Sequence, residues 1–136
     1  KYSMRFSDTI HVLAYIAILH DTAVDSQAIA ASVETNPSNI RRIMASLKKA
    51  GLIKTTVGKP QPALTRAPEQ ISLLDIFNSL DEPTEFNSSR PKTNPELRGS
   101  GNIQDALNAQ YAHFQKVVQD EMAKTTLADV IQDIAN

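Results

Sequence analysis

The segment Asn36–Lys54, with the sequence NPSNIRRIMASLKKAGLIK, carries the clearest structural signal in the chain. Asn36 is a favoured helix N-cap, and Pro37 suits the first helical position, where its missing N–H has no intrahelical partner to lose. Gly51 can end the helix in the left-handed conformation. Apolar residues recur at helical spacing on one side, at Ile40, at Ile43 or Met44, and at Leu47. The segment therefore predicts an amphipathic helix from Pro37 to about Ala50.

A winged helix-turn-helix follows from the neighbours of this helix. A short helix is predicted over Ser26–Val33, and only the turn Glu34–Asn36 separates the two helices, which makes a helix-turn-helix. The β-branched run Leu52–Val57 predicts a strand, Gly58–Pro62 a loop tip and Ala63–Arg66 a returning strand. A hairpin in this place is the wing of a winged helix.

Two further helices are predicted around this unit. The first spans Ser7–His20, with Ser7 or Asp8 as its cap and apolar side chains at Ile10, Leu13, Ala14, Ala17 and Ile18. Ser7, or Thr9 beside it, could then contact a phosphate at the helix N-terminus, although a plain N-cap is an equally good interpretation. The other helix spans Leu73–Leu80, where Ser72 and Asp75 have the spacing of a capping box.

The C-terminal part is predicted to form a long helix that pairs with another helix. Residues 81–101 hold three prolines and read as a loop. The next helix, Asn102–Lys124, carries an apolar stripe over about six turns, too long for one small core to cover. Its members are Ile103, Leu107, Tyr111, Phe114, Val118 and Met122. Thr126, with Asp129, caps a last helix. The chain thus divides into a winged helix-turn-helix domain (1–80), a loop (81–101) and a dimerisation part (102–136).

The net charge of −1 hides a segregation of charge between the two halves of the chain. Residues 1–66 carry nine Lys/Arg against four acidic residues, a net of +5, whereas residues 67–136 carry five against eleven, a net of −6. Such segregation favours an anionic partner for the first half.

The predicted helix at Pro37 has an outward face suited to DNA. With its apolar side inward, small polar and cationic residues face outward, as in a recognition helix that enters the major groove. Arginine can pair with guanine through two hydrogen bonds, and lysines near the helix end and in the wing can contact phosphates. The candidate DNA-binding residues are Ser38, Asn39, Arg41, Arg42, Ser46, Lys49, Lys54 and Lys59, with Arg5 as an additional phosphate contact.

Composition excludes several classes of function. The chain has no cysteine, so it can form no disulfide, thiolate metal site, thiolate-bound iron–sulfur cluster or thiol nucleophile. The three histidines, His11, His20 and His113, have no ligand spacing, and we expect neither a metal nor another cofactor. No nucleophile turn, phosphate-binding glycine loop or paired-carboxylate cleft is recognisable, so the chain is not expected to be an enzyme. No apolar run is long enough to span a membrane, and the expected compartment is the cytoplasm.

Four separated motifs resemble one family, the Rrf-two-type winged-helix transcriptional regulators of bacteria, which include IscR-, NsrR- and CymR-like proteins. They are RFSDTIHVLAYIA, IAASVETNPSNIRRIMASLKKAGLIKT, EQISLLDIFNSL and NIQDALNAQYAHFQKVVQDEMAKTTLADV, in the family's order. The resemblance implies DNA binding through the middle motif and a homodimer held by the long helix. Many members bind an iron–sulfur cluster through three cysteines before that helix. Here the corresponding stretch, NPELRGSGNIQDAL, has none, so the chain resembles the cysteine-free members.

The sequence therefore predicts a mostly helical, homodimeric, sequence-specific DNA-binding regulator, a repressor at a roughly palindromic double-stranded site. One alternative is a winged helix used for protein contact. Another is a regulator that responds to a small-molecule effector, for which Tyr111, Phe114 and Met122, beside Phe77, could line a pocket near the long helix. The seam between two copies is the favoured interpretation of these aromatic residues.

Overall fold

The computed structural model describes residues 4–19, 26–56, 58–80 and 100–135. Within these ranges the fold is mostly helical, with one two-stranded antiparallel sheet. The elements run in the order α1 (Met4–Ile18), α2 (Ser26–Val33), α3 (Pro37–Lys49), β1 (Ile53–Thr56), β2 (Lys59–Leu64), a 3₁₀ turn (Pro68–Gln70), α4 (Leu73–Asn78), α5 (Ser100–Lys124) and α6 (Leu127–Ala135). A helix-turn-helix followed by a hairpin is the predicted winged helix. Most of the predicted loop 81–101 lies outside the described residues.

One apolar core holds these elements together. Its fully buried side chains come from α1, α2 and α3, from the start of the wing, and from the segments around α4 and α6; they include Leu13, Ile16, Ile29, Ile40, Leu47, Leu52, Ile71, Ile76 and Leu127. The predicted inward positions of α3 are confirmed, since Ile40, Ile43 and Leu47 are all buried whereas Met44 is partly exposed. Burial of this kind fixes the rotation of α3 about its own axis.

Helix α1 differs from the prediction at both ends. It begins at Met4 rather than at Ser7, because Phe6 is buried against Phe77, with the two rings edge to face at 5.5 Å, and this contact extends the helix backwards. At the other end Ile18 is half exposed instead of inward. Ser7 therefore does not cap the helix.

The returning strand of the wing begins earlier in the chain than the sequence predicted. Strand β2 begins at Lys59, directly after Gly58, so most of the predicted loop tip 58–62 belongs to the strand. Ile53 pairs with Leu64 and Lys54 with Ala63, and the register shifts before Thr56 pairs with Lys59. Prolines are tolerated here because each strand of a two-stranded sheet is an edge strand, with N–H groups on one side that need no ladder partner.

Two capping boxes join the winged helix to the C-terminal helices. Ser72 Oγ accepts from the Asp75 N–H at 3.0 Å while Asp75 accepts from the Ser72 N–H at 3.0 Å, and Thr126 and Asp129 repeat this exchange at 3.1 and 2.9 Å. Ser72 and Thr126 also face each other in an antiparallel bridge. The predicted caps are thus confirmed, and the starts of α4 and α6 lie side by side.

Candidate nucleic-acid interface

The turn between α2 and α3 is fixed by hydrogen bonds that begin at the end of α2. Glu34 adopts a left-handed conformation, with φ of 63°, and the Thr35 N–H donates to the Ala30 carbonyl at 3.0 Å, which closes the helix end. Asn36 then caps α3, since its Oδ1 accepts from the Asn39 N–H at 2.8 Å. The angle between α2 and α3 is therefore set by the backbone of three consecutive residues.

The face of α3 that points away from the core carries most of the predicted contacts. Ser38, Arg41, Arg42 and Lys49 are exposed, whereas Asn39 and Ser46 are partly buried at one edge. Alanine occupies position 45 between them and is also exposed, so nothing bulky stands in the middle of this face. A surface of this shape can approach the floor of a DNA groove closely.

The polar side chains at the start of α3 already have partners within the protein. The Asn39 side-chain amide donates to Thr35 Oγ1 at 3.1 Å, which ties this residue to the turn. Arg41 Nη2 donates to Ser38 Oγ at 3.3 Å, one helical turn back. Asn39 is thereby held against the turn between α2 and α3, and Arg41 is held along the outward face.

Arg42 lies at the opposite edge of α3 from Arg41, beside α1 and α4. It lines a narrow depression together with Arg5 and Thr9 of α1 and with Ser79 and Leu80 at the end of α4. Next to it is a wider cleft of about 310 Å³, lined by Ser46, Lys49, Ala50, Asn78, Ser79 and Leu80. This edge of α3 therefore borders on two other helices, while the Arg41 edge does not line either hollow.

Of the two lysines predicted to contact DNA from the wing, the structure describes the side chain of Lys54. Lys54 is exposed on β1, on the strand that leaves α3. Lys59 is the first residue of β2, and its side chain lies outside the described part of the structure. The loop tip that was expected to carry Lys59 is the turn at Gly58 instead.

The structure excludes Thr9 from the phosphate contact predicted at the start of α1, whereas Ser7 is exposed. Thr9 is buried, with only 2% of its surface exposed, and its hydroxyl donates to the Arg5 carbonyl at 2.7 Å. Ser7 lies in the first turns of the helix, three residues after its start at Met4. The early start of α1, which the burial of Phe6 causes, moves both hydroxyl residues away from the free N–H groups of the N-terminus.

Helix α5 has two apolar faces where the sequence suggested a single stripe. Ile103, Leu107 and Phe114 are exposed by 63, 42 and 46%, as the seam prediction requires, and Val117, which the stripe left out, joins them at 48%. Val118 and Met122 instead pack into the core of the chain itself, and Met122 is only 7% exposed. This second face packs on the core, so Met122 has little surface left for a partner copy. Tyr111 is partly exposed between the two faces.

Phe114 and Met122 do not converge on an effector pocket. Phe114 faces outward, whereas Met122 and Phe77 are both buried in the core. No group of three or more His, Asp or Glu that could hold a metal ion occurs among the residues whose positions are given. None of the helices described here is long and apolar enough to cross a membrane.

Sequence reasoning missed two parts of this surface. Val117 could have been found from the spacing 103, 107, 110, 114 and 117, which alternates by four and three residues as in a coiled-coil seam, with Gln110 in the middle. The depression shared by Arg5, Arg42 and Ser79 has no local signature, because its residues come from three helices that are distant along the chain.

Comparisons with known proteins match this geometry. The family model described as "Rrf2: Iron-dependent Transcriptional regulator" matches residues 2–133. The chain belongs to the Rrf2 family. A Bacillus subtilis (strain 168) protein, YwnA, whose name describes an HTH-type transcriptional regulator, is 32% identical over 130 residues, which are 96% of each chain. Rrf2 proteins of this kind are transcriptional regulators and not enzymes, as the sequence predicted.

Solved structures agree with the winged-helix fold of this Rrf2 chain. A crystal structure described as a DNA-binding protein is 31% identical and has a TM-score of 0.78, covering 93% of this chain and 98% of its own. The IscR of T. potens has a TM-score of 0.73 at 21% identity, covering 98% of this chain and 88% of its own, and so supports the fold alone. The family description names iron, but this chain has no cysteine with which to bind a cluster.

Proposed function

We propose that this Rrf2 protein is a homodimeric, sequence-specific DNA-binding repressor that acts on a roughly palindromic operator in the bacterial cytoplasm. The observation that carries the proposal is the outward face of α3, on which Arg41, Arg42 and Lys49 are exposed together. The rotation of that face is fixed because Ile40, Ile43 and Leu47 are buried behind it. A rigid cationic helix face fits the width and the charge of the major groove.

The proposed contacts divide along the chain. Residues on the outward face near the start of α3 would lie nearest the base edges, and residues at its sides, at its end and in the wing would lie nearest the phosphates. The proposed DNA-contacting residues are Ser38, Asn39, Arg41, Arg42, Ser46, Lys49, Lys54 and Lys59. Their net positive charge agrees with the +5 of residues 1–66.

The proposed dimer uses the exposed face of α5. Ile103, Leu107, Phe114 and Val117 are large apolar side chains, all of them between 42 and 63% exposed along one side of a single helix. A continuous apolar strip of this length favours a protein partner, and a second copy offers an identical strip. Two copies related by a two-fold axis would present two α3 helices to two half-sites, which is the reason for expecting a palindrome. A dimer seated on an operator would exclude other proteins from that DNA.

The test is duplex binding by the full chain. Genomic fragments that the protein retains would be sequenced, and binding to the selected site and to a scrambled duplex would be followed by fluorescence anisotropy at several salt concentrations. We expect tighter binding to the selected site and a fall in affinity as salt rises, because cationic side chains release counterions from DNA. Lys49→Ala should weaken binding to both duplexes.

Lys116→Ala is the matched control. It removes the same charge from an exposed lysine of α5, whose ammonium group lies 3.3 Å from Asp120 and away from α3. Equal effects of the two substitutions would show that only net charge matters and would contradict the proposed interface. Binding that is absent or independent of salt would favour protein contact as the function of this winged helix.

A further inference from the structure

We propose that the two neighbouring arginines of α3 contact different parts of the DNA. Arg41, supported by Ser38, reads a base edge, and Arg42, together with Arg5 of α1, holds a backbone phosphate. This inference rests on the proposed function, because it takes α3 to be the helix that enters the major groove. It names the residue that determines sequence specificity, a choice that the two adjacent arginines leave open in the sequence.

The geometry of a helix separates the two side chains. Successive residues of an α-helix leave the axis about 100° apart, so Arg41 and Arg42 lie on either side of the line through Ser38, Ala45 and Lys49. The buried residues Ile40, Ile43 and Leu47 prevent α3 from rotating to exchange them. Each arginine therefore keeps its own edge of the helix in the groove.

The Arg41 edge is arranged for reading a base. Arg41 Nη2 donates to Ser38 Oγ at 3.3 Å, and this contact uses one of the five N–H donors of the guanidinium group. The remaining donors still include a planar pair that can meet the O6 and N7 acceptors of guanine. Ser38 restrains the long side chain in advance, which lowers the conformational entropy that is lost on binding.

The Arg42 edge is arranged for holding a phosphate. Arg42 and Arg5 come from different helices and line the same depression. Thr9 and Ser79 also line this depression, and their hydroxyl groups donate to the backbone carbonyls of Arg5 at 2.7 Å and of Ile76 at 2.6 Å. The depression is too narrow to admit a water molecule, so an anion would meet the two guanidinium groups at its rim. A phosphate of the DNA backbone accepts several charge-assisted hydrogen bonds and is suited to such a pair of cations.

Among the residues proposed above to contact DNA, Asn39 is here assigned a positioning role instead of a direct contact. Its side-chain amide donates to Thr35 Oγ1 at 3.1 Å, and its backbone N–H donates to the Asn36 side chain at 2.8 Å. The side-chain contact holds the amide against the turn between α2 and α3, so that its effect on DNA passes through the orientation of α3. Asn39→Ala and Thr35→Val remove the same hydrogen bond and are expected to weaken specific binding by similar factors, without changing the preferred base at any position.

The experiment measures the affinity of the full chain for its selected duplex and for a scrambled duplex over a range of salt concentrations. Arg41→Ala is expected to lower the ratio of specific to scrambled affinity by about 5- to 150-fold, the range of a bidentate arginine–base contact. Arg42→Ala and Arg5→Ala are expected to weaken binding to both duplexes alike. Each should reduce the slope of log affinity against log salt by about one per protomer.

Conservative variants separate charge from shape. Arg42→Lys should restore most of the affinity, because a lysine still supplies a positive charge to a phosphate. Arg41→Lys should not restore the ratio, because lysine lacks the planar fork that matches a guanine edge. Arg42→Gln, with thermal unfolding followed by circular dichroism, distinguishes loss of the contact from loss of folding.

Two different results would overturn the inference. If Arg42→Ala lowers the specific ratio as much as Arg41→Ala does, or if Arg41→Lys restores that ratio, then the two arginines do not have separate roles. The proposed function would survive this outcome. If the unmodified protein binds no duplex in a salt-dependent way, the proposed function itself fails, and the assignment of the arginines fails with it.

Discussion

Asp75 connects the start of α4 with the residue Arg66 that follows the wing, through one carboxylate. It accepts the Ser72 N–H in the capping box of α4, and it accepts from Arg66 Nη2 at 2.8 Å. Arg66 follows the wing, and its Nε also donates to the Gln70 carbonyl at 2.8 Å. Partial burial alone would raise the pKa of Asp75, but the hydrogen bond from the Ser72 backbone and the contacts with Arg66 outweigh it, so the pKa lies below its usual value of 3.8.

The lowered pKa of Asp75 predicts a dependence of stability on pH. A carboxylate whose pKa is lower in the folded than in the unfolded chain stabilises the fold above the unfolded pKa, near 3.8, and this contribution is lost as the pH falls through the folded pKa. Asp75→Asn should therefore lower the free energy of unfolding at pH 7, and the difference from the unmodified protein should shrink below about pH 4. Urea unfolding at a series of pH values measures it.

Asp120→Asn provides the control for this prediction. Asp120 pairs with Lys116 at 3.3 Å on the surface of α5, where both side chains are mostly exposed, and pairs of this kind contribute little. We expect almost no effect at either pH. If Asp75→Asn changes the free energy of unfolding by the same amount at every pH, the ionised form of Asp75 does not stabilise the contacts with Ser72 and Arg66.

At the scale of elements, the two apolar sides of α5 differ in burial. The side with Val118 and Met122 packs on the core of its own chain, and the side with Ile103 and Phe114 is left exposed. The residues of the exposed side alternate by four and three positions, which keeps them on one strip along a helix. The long helix thus packs on the core of its own chain and leaves an apolar strip exposed, which we propose pairs with a second copy.

The dimer prediction concerns this strip. Phe114→Asp should convert a dimer into a monomer, because pairing would bury an unpaired carboxylate in an apolar seam. Sedimentation or light scattering at micromolar concentration should give the mass of one 14.9 kDa chain for this variant and twice that mass for the unmodified protein.

Ala112→Asp is the matched substitution on the other side of the same helix. Ala112 is exposed, and two positions along an α-helix correspond to a rotation of about 200°, so it points away from Phe114. It should leave the mass unchanged. If the unmodified chain is monomeric at every accessible concentration, both the α5 dimer and the palindromic site are excluded.

At the scale of the whole molecule, the lack of cysteine separates this chain from family members that bind a cluster. The matched family is described as iron-dependent, whereas a cluster needs thiolate ligands that this sequence does not contain. We therefore expect DNA binding to be unchanged by thiol-specific reagents and by exposure to air. Protein purified without oxygen should show no visible absorption band of a cluster. A brown preparation, or binding that is lost after thiol-specific treatment, would contradict this expectation.

Much of the fold around α3 could be predicted from the sequence, because its signals are local. Asn36, Pro37 and Gly51 define the two ends of α3 through hydrogen bonds and backbone conformations within a few residues, and the structure has α3 at Pro37–Lys49 with Gly51 at φ of 78°. The capping boxes at Ser72 and at Thr126 were predicted for the same reason, since the two partners in each box are three residues apart. The family and its class of function followed from the order of such motifs.

Only the tertiary structure decided where neighbouring candidates face. Val117 and Val118 are adjacent residues of the same type, yet Val118 is partly buried against the core whereas Val117 is exposed. The sequence predicts that Thr9 lies near the helix terminus. In the structure the packing of Phe6 extends α1 to Met4, and Thr9 is buried. Arg5 and Arg42 are 37 positions apart in the sequence, and only the packing of α1 on α3 brings them to one depression. Local hydrogen bonds fix where a helix starts and ends, whereas burial, which depends on residues far along the chain, fixes which of its sides is free to bind.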